Sequence, residues 1–154
     1  MIFKPFDAIS KTDIEALVQN QVREGRTIEY KKGLPGNYDE DKREILADIS
    51  SFANAGGGDL LYGVPATDGV PHGASGLEGN LDAELLRLEN LLRDGLDPRV
   101  HGLRMRTIDG FAEGPVLLIR VPRSWAAPHM ITFKNLSRFF TRNSAGKHQM
   151  DVTE

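Results

Sequence analysis

Apolar and polar positions recur along this chain with two periods, and the changes of period mark its elements. "KTDIEALVQNQVREG" places Ile14, Leu17, Val18 and Val22 at helical spacing and predicts a helix that closes at Gly25. "RTIEYKK" then switches to period two. Ile28 and Tyr30 point one way and Glu29 and Lys31 the other, as on a strand with one polar face. "GLPGNYDED" is a turn followed by acids suited to a helix N-terminus, and "KREILADISSFANA" sets Ile45, Leu46, Ile49 and Phe52 on one helical face. "GGGDLLYGV" reads as a glycine turn into a short buried strand, and "PATDGVPHGASG" as a turn-rich loop. "NLDAELLRLENLLRDGL" is the clearest amphipathic helix, capped by Asn80 or Asp82 and stopped by Gly95. Strand-like runs follow around 100–108, 116–121, 129–133 and 136–142. The sum is an α+β chain, a mixed sheet flanked by about three helices. The closing "MDVTE" places Asp151 or Thr153 as a cap with no helix after it, which reads as a tail or as part of a longer protein.

Composition narrows the field. A chain of 154 residues is expected to form one domain over 1–154 with a real core. There are no cysteines, so disulfides and thiolate metal sites are excluded. No apolar run approaches the ~20 residues of a membrane span, and "MIFKPFDAIS" lacks a signal peptide's apolar core, so the cytoplasm is the default location. The net charge of −3 conceals an asymmetry. Residues 1–92 hold 16 acids and 9 bases, whereas residues 93–154 hold 6 acids and 10 bases. The basic ones include Arg120, Arg123, Lys134, Arg138, Arg142 and Lys147, which together can make a local positive face for nucleic acid. The plainer reading is a set of scattered, solvated strand positions.

Candidate chemistry begins at the first strand. Glu29 and Lys31 share a face, and Glu24, at the close of the preceding helix, can reach the same spot across a short turn. Two carboxylates and an ammonium suit Mg²⁺ or Mn²⁺ held against a phosphodiester. The plainer alternative is a solvated strand face whose ion pair contributes at most ~1 kcal/mol. The glycines of "NAGGGDL" leave a helix and open a strand, the reverse of a phosphate-binding P-loop, and the one Gly-Lys pair, Gly146-Lys147, is followed by His148. His72, His101, His129 and His148 are isolated, which makes a zinc site improbable. Ser50, Ser51 and Ser144 have no histidine and acid in local register. Trp125 can stack on a base or cover an edge of the core.

Three segments, "TIEYKKG", "EILADISSFANAGGGDLLYGV" and "RFFTRNSAG", occur in an order and spacing that resemble the Schlafen-type, Alba-like domain, over nearly the whole chain. The resemblance implies a bacterial-type, single-lobed member that binds RNA or DNA, as the sensing or regulatory part of a transcriptional regulator. An alternative it implies is a Mg²⁺- or Mn²⁺-dependent ribonuclease acting on structured RNA such as tRNA. Its catalytic set would be Glu24, Glu29, Lys31 and Asp68, with Glu24, Glu29 and Asp68 holding the metal. The family's third acid follows a Gly-Val that here is Gly63-Val64, yet Pro65 and Ala66 stand next and Asp68 is displaced by about two positions. A third reading is an ATP-binding domain of divergent type, against which the missing P-loop speaks. Because cores of the family pair two lobes into a clamp, a homodimer is expected, with leucines 81, 85, 86, 88, 91 and 92 supplying apolar surface for it.

Overall fold

The computed structural model describes residues 1–151, so the capping role read for Thr153 lies outside the described residues. A single 3₁₀ turn at Phe6–Ala8 leads into helix α1, Lys11–Gln19. α1 therefore stops well short of Gly25. Gln21 turns left-handed at φ 49°, which ends the helical ladder, and the Tyr30 hydroxyl holds the Val22 carbonyl at 2.6 Å. Glu24 consequently lies beyond the helix, with its backbone N–H on the Gly69 carbonyl at 2.8 Å.

Strand β1 (Ile28–Lys31), helix α2 (Asp39–Asn54) and strand β2 (Gly58–Tyr62) form a β-α-β unit with parallel strands. The apolar stripe predicted for α2 is buried throughout, with Ile45, Leu46, Ile49 and Phe52 inaccessible to water. Strands β3 (Ala66–Thr67) and β4 (Val70–Pro71) make a small hairpin inside the segment expected as loop. Asp68 and Gly69, both at positive φ, supply the tight turn that such hairpins need. Helix α3 (Leu81–Gly95) starts where Asn80 accepts from Asp82 N and Ala83 N, so Asn80 is its cap. Its leucines largely serve this domain. Leu81, Leu88 and Leu92 are buried, Leu85 and Leu91 pack on the same core, and Leu86 is 60% exposed.

The remaining strands are β5 (Leu96–Asp97), β6 (Arg104–Ile108), β7 (Val116–Val121), β8 (Met130–Ile131), β9 (Arg138–Asn143) and β10 (Gly146–Gln149). The mixed sheet divides in two. One runs β1-β2-β7-β6, and the other, antiparallel, runs β10-β9-β8-β5. α2 packs on strands of both sheets, and its apolar face meets Leu60, Leu117, Ile119 and Ile131. The opposite face of the first sheet is covered by the N-terminal segment, through Ile2, Phe6, Ile9 and Ile14. Among the described residues no helix is long and apolar enough to cross a membrane.

Candidate functional site

Where α2 crosses between the sheets, charged side chains from four elements meet. β1 contributes Glu29 and Lys31, α2 contributes Glu44 and Asp48, β9 contributes Arg142 and β10 contributes Lys147. Asp48 is completely buried and Glu29 nearly so. Lys147 Nζ lies 2.6 Å from Glu44 Oε1 and 2.8 Å from Asp48 Oδ1. Lys31 Nζ lies 3.0 Å from Glu44 Oε1, 3.4 Å from Asp48 Oδ2 and 3.9 Å from Glu29 Oε2. Arg142, 3% exposed, donates to the Gly25 carbonyl (2.8 Å from Nη2) and to Ser51 Oγ (3.2 Å). Its guanidinium also sits 3.6 Å from Glu29 Oε1 and 4.0 Å from the centre of the Phe52 ring.

Three carboxylates thus face three cations. Asp48 Oδ2 and Glu29 Oε2 remain without a hydrogen bond. Burial drives the Asp48 carboxyl well above the usual carboxylate range, and the neighbouring Glu29 pushes it the same way, against the two lysines. Asp48 is therefore the carboxyl of the cluster that favours holding a proton. The Lys31 pKa is raised: burial opposes the ammonium, but Asp48 once ionised, Glu29 and Glu44 outweigh that cost.

The residues singled out for metal-dependent chemistry are placed differently from one another. Glu29 and Lys31 enter the cluster. Glu24 Oε1 accepts from Tyr30 N at 3.0 Å and enters none of the cluster's ion pairs among the described residues. Asp68 sits at the hairpin tip, where its carbonyl takes Arg23 Nη1 at 2.6 Å. A hard divalent cation needs several converging oxygens. Among the described residues no three His, Asp or Glu side chains converge in that way, and within the cluster the protein's own ammonium groups fill the space between the carboxylates.

The six basic positions also separate. Arg120 pairs with buried Asp59 at 2.8 Å and donates to the Ile2 and Lys4 carbonyls, which ties the N-terminal segment to the sheet. Arg142 and Lys147 belong to the cluster just described. Lys134 pairs with Asp39 at 3.3 Å on the surface. Arg123 and Arg138 are exposed, and Arg138 enters no ion pair among the described residues. Arg138 lines a cleft of about 330 Å³ between α2 and the second sheet. Arg43, also exposed and without an ion pair among the described residues, stands on the opposite wall with Glu40, over a floor that includes Ile131, Leu136 and Phe140.

Residues 24–151 match the family model described as Schlafen, AlbA_2. This chain belongs to that family. The N-terminal domain of a RecG-related protein from Nitrosomonas europaea, whose name places it with ATP-dependent DNA helicases, has a similar fold. The TM-score is 0.64 and the identity 23%, covering 95% of each chain. The DIP2311 protein from Corynebacterium diphtheriae is also similar, with a TM-score of 0.58 and 18% identity over 90% of this chain. This chain spans only 26% of that one. Comparison with curated proteins gives no match.

The segments that resemble the AlbA_2 pattern converge in space. Glu29, Lys31 and Arg142 build the charge cluster, and Gly58 admits the Phe52 ring, which a Cβ there would meet at 2.4 Å. Asn54 clamps three chain segments, accepting from His129 N (2.7 Å) and donating to the carbonyls of His129 (3.0 Å) and Phe140 (2.8 Å). Sequence reasoning overlooked Glu44, Asp48, Asn54 and Arg43. For Asp48 a signal was present: an acid in the middle of the apolar stripe "ILADISSF" has to find a partner or a proton.

Proposed function

We propose that this AlbA_2 domain is a nucleic-acid-binding module, acting as the regulatory or sensing part of a larger machinery. The observation that carries this reading is the cleft beside α2. Its two walls present Arg43 and Arg138, neither committed to a carboxylate among the described residues, above an apolar floor that includes the Phe140 ring. Arg120, Arg142 and Lys147 are neutralised inward, whereas these two guanidinium groups face one groove. Guanidinium groups take phosphate oxygens in a bidentate fork, and an aromatic floor accepts the face of a base or sugar. The RecG-related neighbour, named for DNA helicases, agrees with a role at nucleic acid.

Binding of a labelled strand or duplex, followed by anisotropy across a salt series, tests the assignment. Affinity should fall with salt, because each phosphate contact releases counterions. In the double variant Arg43→Gln, Arg138→Gln the slope of log K against log salt should shrink by about 0.7–0.9 per lost contact. A double variant that binds as the wild type does at low salt refutes the cleft as the interface. Parallel samples with Mn²⁺ or EDTA, scored for strand cleavage, report on the metal-dependent alternative.

A further inference from the structure

Trp125 is the only tryptophan in the chain, and 93% of its surface is in water. It covers no part of the core. Yet the segment that carries it, between β7 and β8, is firmly mounted. Ser124 N donates to the Ala53 carbonyl (3.2 Å), and Ser124 Oγ accepts from Ala126 N (3.1 Å). At the other end Asn54 grips the N–H and the carbonyl of His129. The His129 ring is fully buried, with Nδ1 2.5 Å from the Pro98 carbonyl. That oxygen can only accept, so Nδ1 donates to it, and Nε2 shares a hydrogen bond with the Ser124 hydroxyl at 2.6 Å. Both ends of the segment are thereby fixed to the C-terminal end of α2. Beside the exposed ring lies the exposed Arg123 guanidinium, 5.5 Å from its centre.

A large apolar ring held in water on a rigid mount costs little ordering when a partner arrives. It offers a flat π-face to that partner, and the adjacent guanidinium supplies positive charge. We propose that Trp125, with Arg123, is a stacking platform for an unpaired base of single-stranded nucleic acid. The proposal rests on the nucleic-acid reading above and adds the form of nucleic acid and the place where a base lands. An apolar pocket on a protein partner is the competing occupant. The exposed cation beside the ring favours a polyanion. Asn54, which holds one end of the platform's segment, lies about 16 Å along α2 from Arg43.

The single tryptophan makes the test direct. Short oligo(dT) and a duplex of the same length are titrated against the protein, with Trp125 emission read alongside the anisotropy of a labelled strand. The strand should quench the emission saturably, and the duplex, whose bases are already stacked, should quench it less. Trp125→Ala should weaken strand binding roughly 5- to 150-fold, the usual effect of removing one base-stacking ring, while Trp125→Phe retains most of it. A side chain exposed to this extent can be changed with the circular dichroism spectrum intact. If the labelled strand binds but leaves the emission unaltered, or binds Trp125→Ala as tightly as wild type, the platform is refuted while the cleft reading stands. If neither strand nor duplex binds at low salt, both fall.

Discussion

Replacing Asp48 with Asn removes one ionisable group from the buried cluster and preserves its shape, so it reads the electrostatics of the junction directly. In the folded protein, burial first and then Glu29 push the Asp48 carboxyl from 3.8 up to about 8. A folded-state value above the unfolded one means that the native protein holds the proton more tightly. The stabilisation is complete below the unfolded value, declines as pH rises through the window between the two, and is gone above the folded value. Inside that window each pH unit removes at most about 1.4 kcal/mol. The amide has no proton to lose, and its oxygen can still accept from Lys147, as Asp48 Oδ1 does at 2.8 Å. From pH 5 to pH 7 the stability difference should therefore move in favour of Asp48→Asn by as much as about 2.7 kcal/mol, two units of that slope. Urea denaturation of both proteins at half-unit steps gives the difference, in which titrating groups remote from the cluster cancel. A flat difference would show that Asp48 titrates alike in both states. A difference that grows in favour of wild type would show an ionised Asp48 held by Lys31 and Lys147, and the protonated junction would be refuted.

Two further outcomes are expected. Arg142→Leu removes the guanidinium that serves the Gly25 carbonyl, Ser51 and Glu29, and should cost about 3–5 kcal/mol, as breaking a buried charge network does; a loss below about 1 kcal/mol in urea denaturation would count against its structural role. If two copies pair through α3, Leu86 is the leucine left to do it, so light scattering should find twice the 17.0 kDa chain mass for wild type and the single mass for Leu86→Glu. Wild type at the single mass at high concentration removes that pairing.

Periodicity carried most of the architecture. The apolar stripe of α2, the alternation of β1 and the leucine-rich α3 are local patterns, and each element formed where its pattern lay. The early end of α1 was not legible. It depends on a hydroxyl of Tyr30 taking the Val22 carbonyl, a contact that no window around residue 20 contains. The short strands β5 and β10 escaped for a different reason: two to four residues give too few repeats for a period to be recognised. Charge was the least legible level. Arg138 and Arg142 look alike in sequence and sit four apart on one strand, yet one is exposed and the other is enclosed beside Phe52. Counting bases identifies a surplus, and only tertiary placement shows which of them remain free.

The charge cluster joins residues that are synthesised far apart in time. Glu29, Glu44 and Asp48 leave the ribosome long before Arg142 and Lys147, their partners about a hundred residues later; the span from Asp48 to Lys147 is 99 residues. Lys31 is made with the acids, but at about 5–20 residues per second they wait about 5–20 s for Arg142 and Lys147. During that interval α2 can form as a helix but cannot bury its polar row, so closure of the second sheet over it is a late, concerted event. Nascent chains stalled before β9 should accordingly be cut readily by protease within α2, and chains stalled well beyond Gln149 should resist.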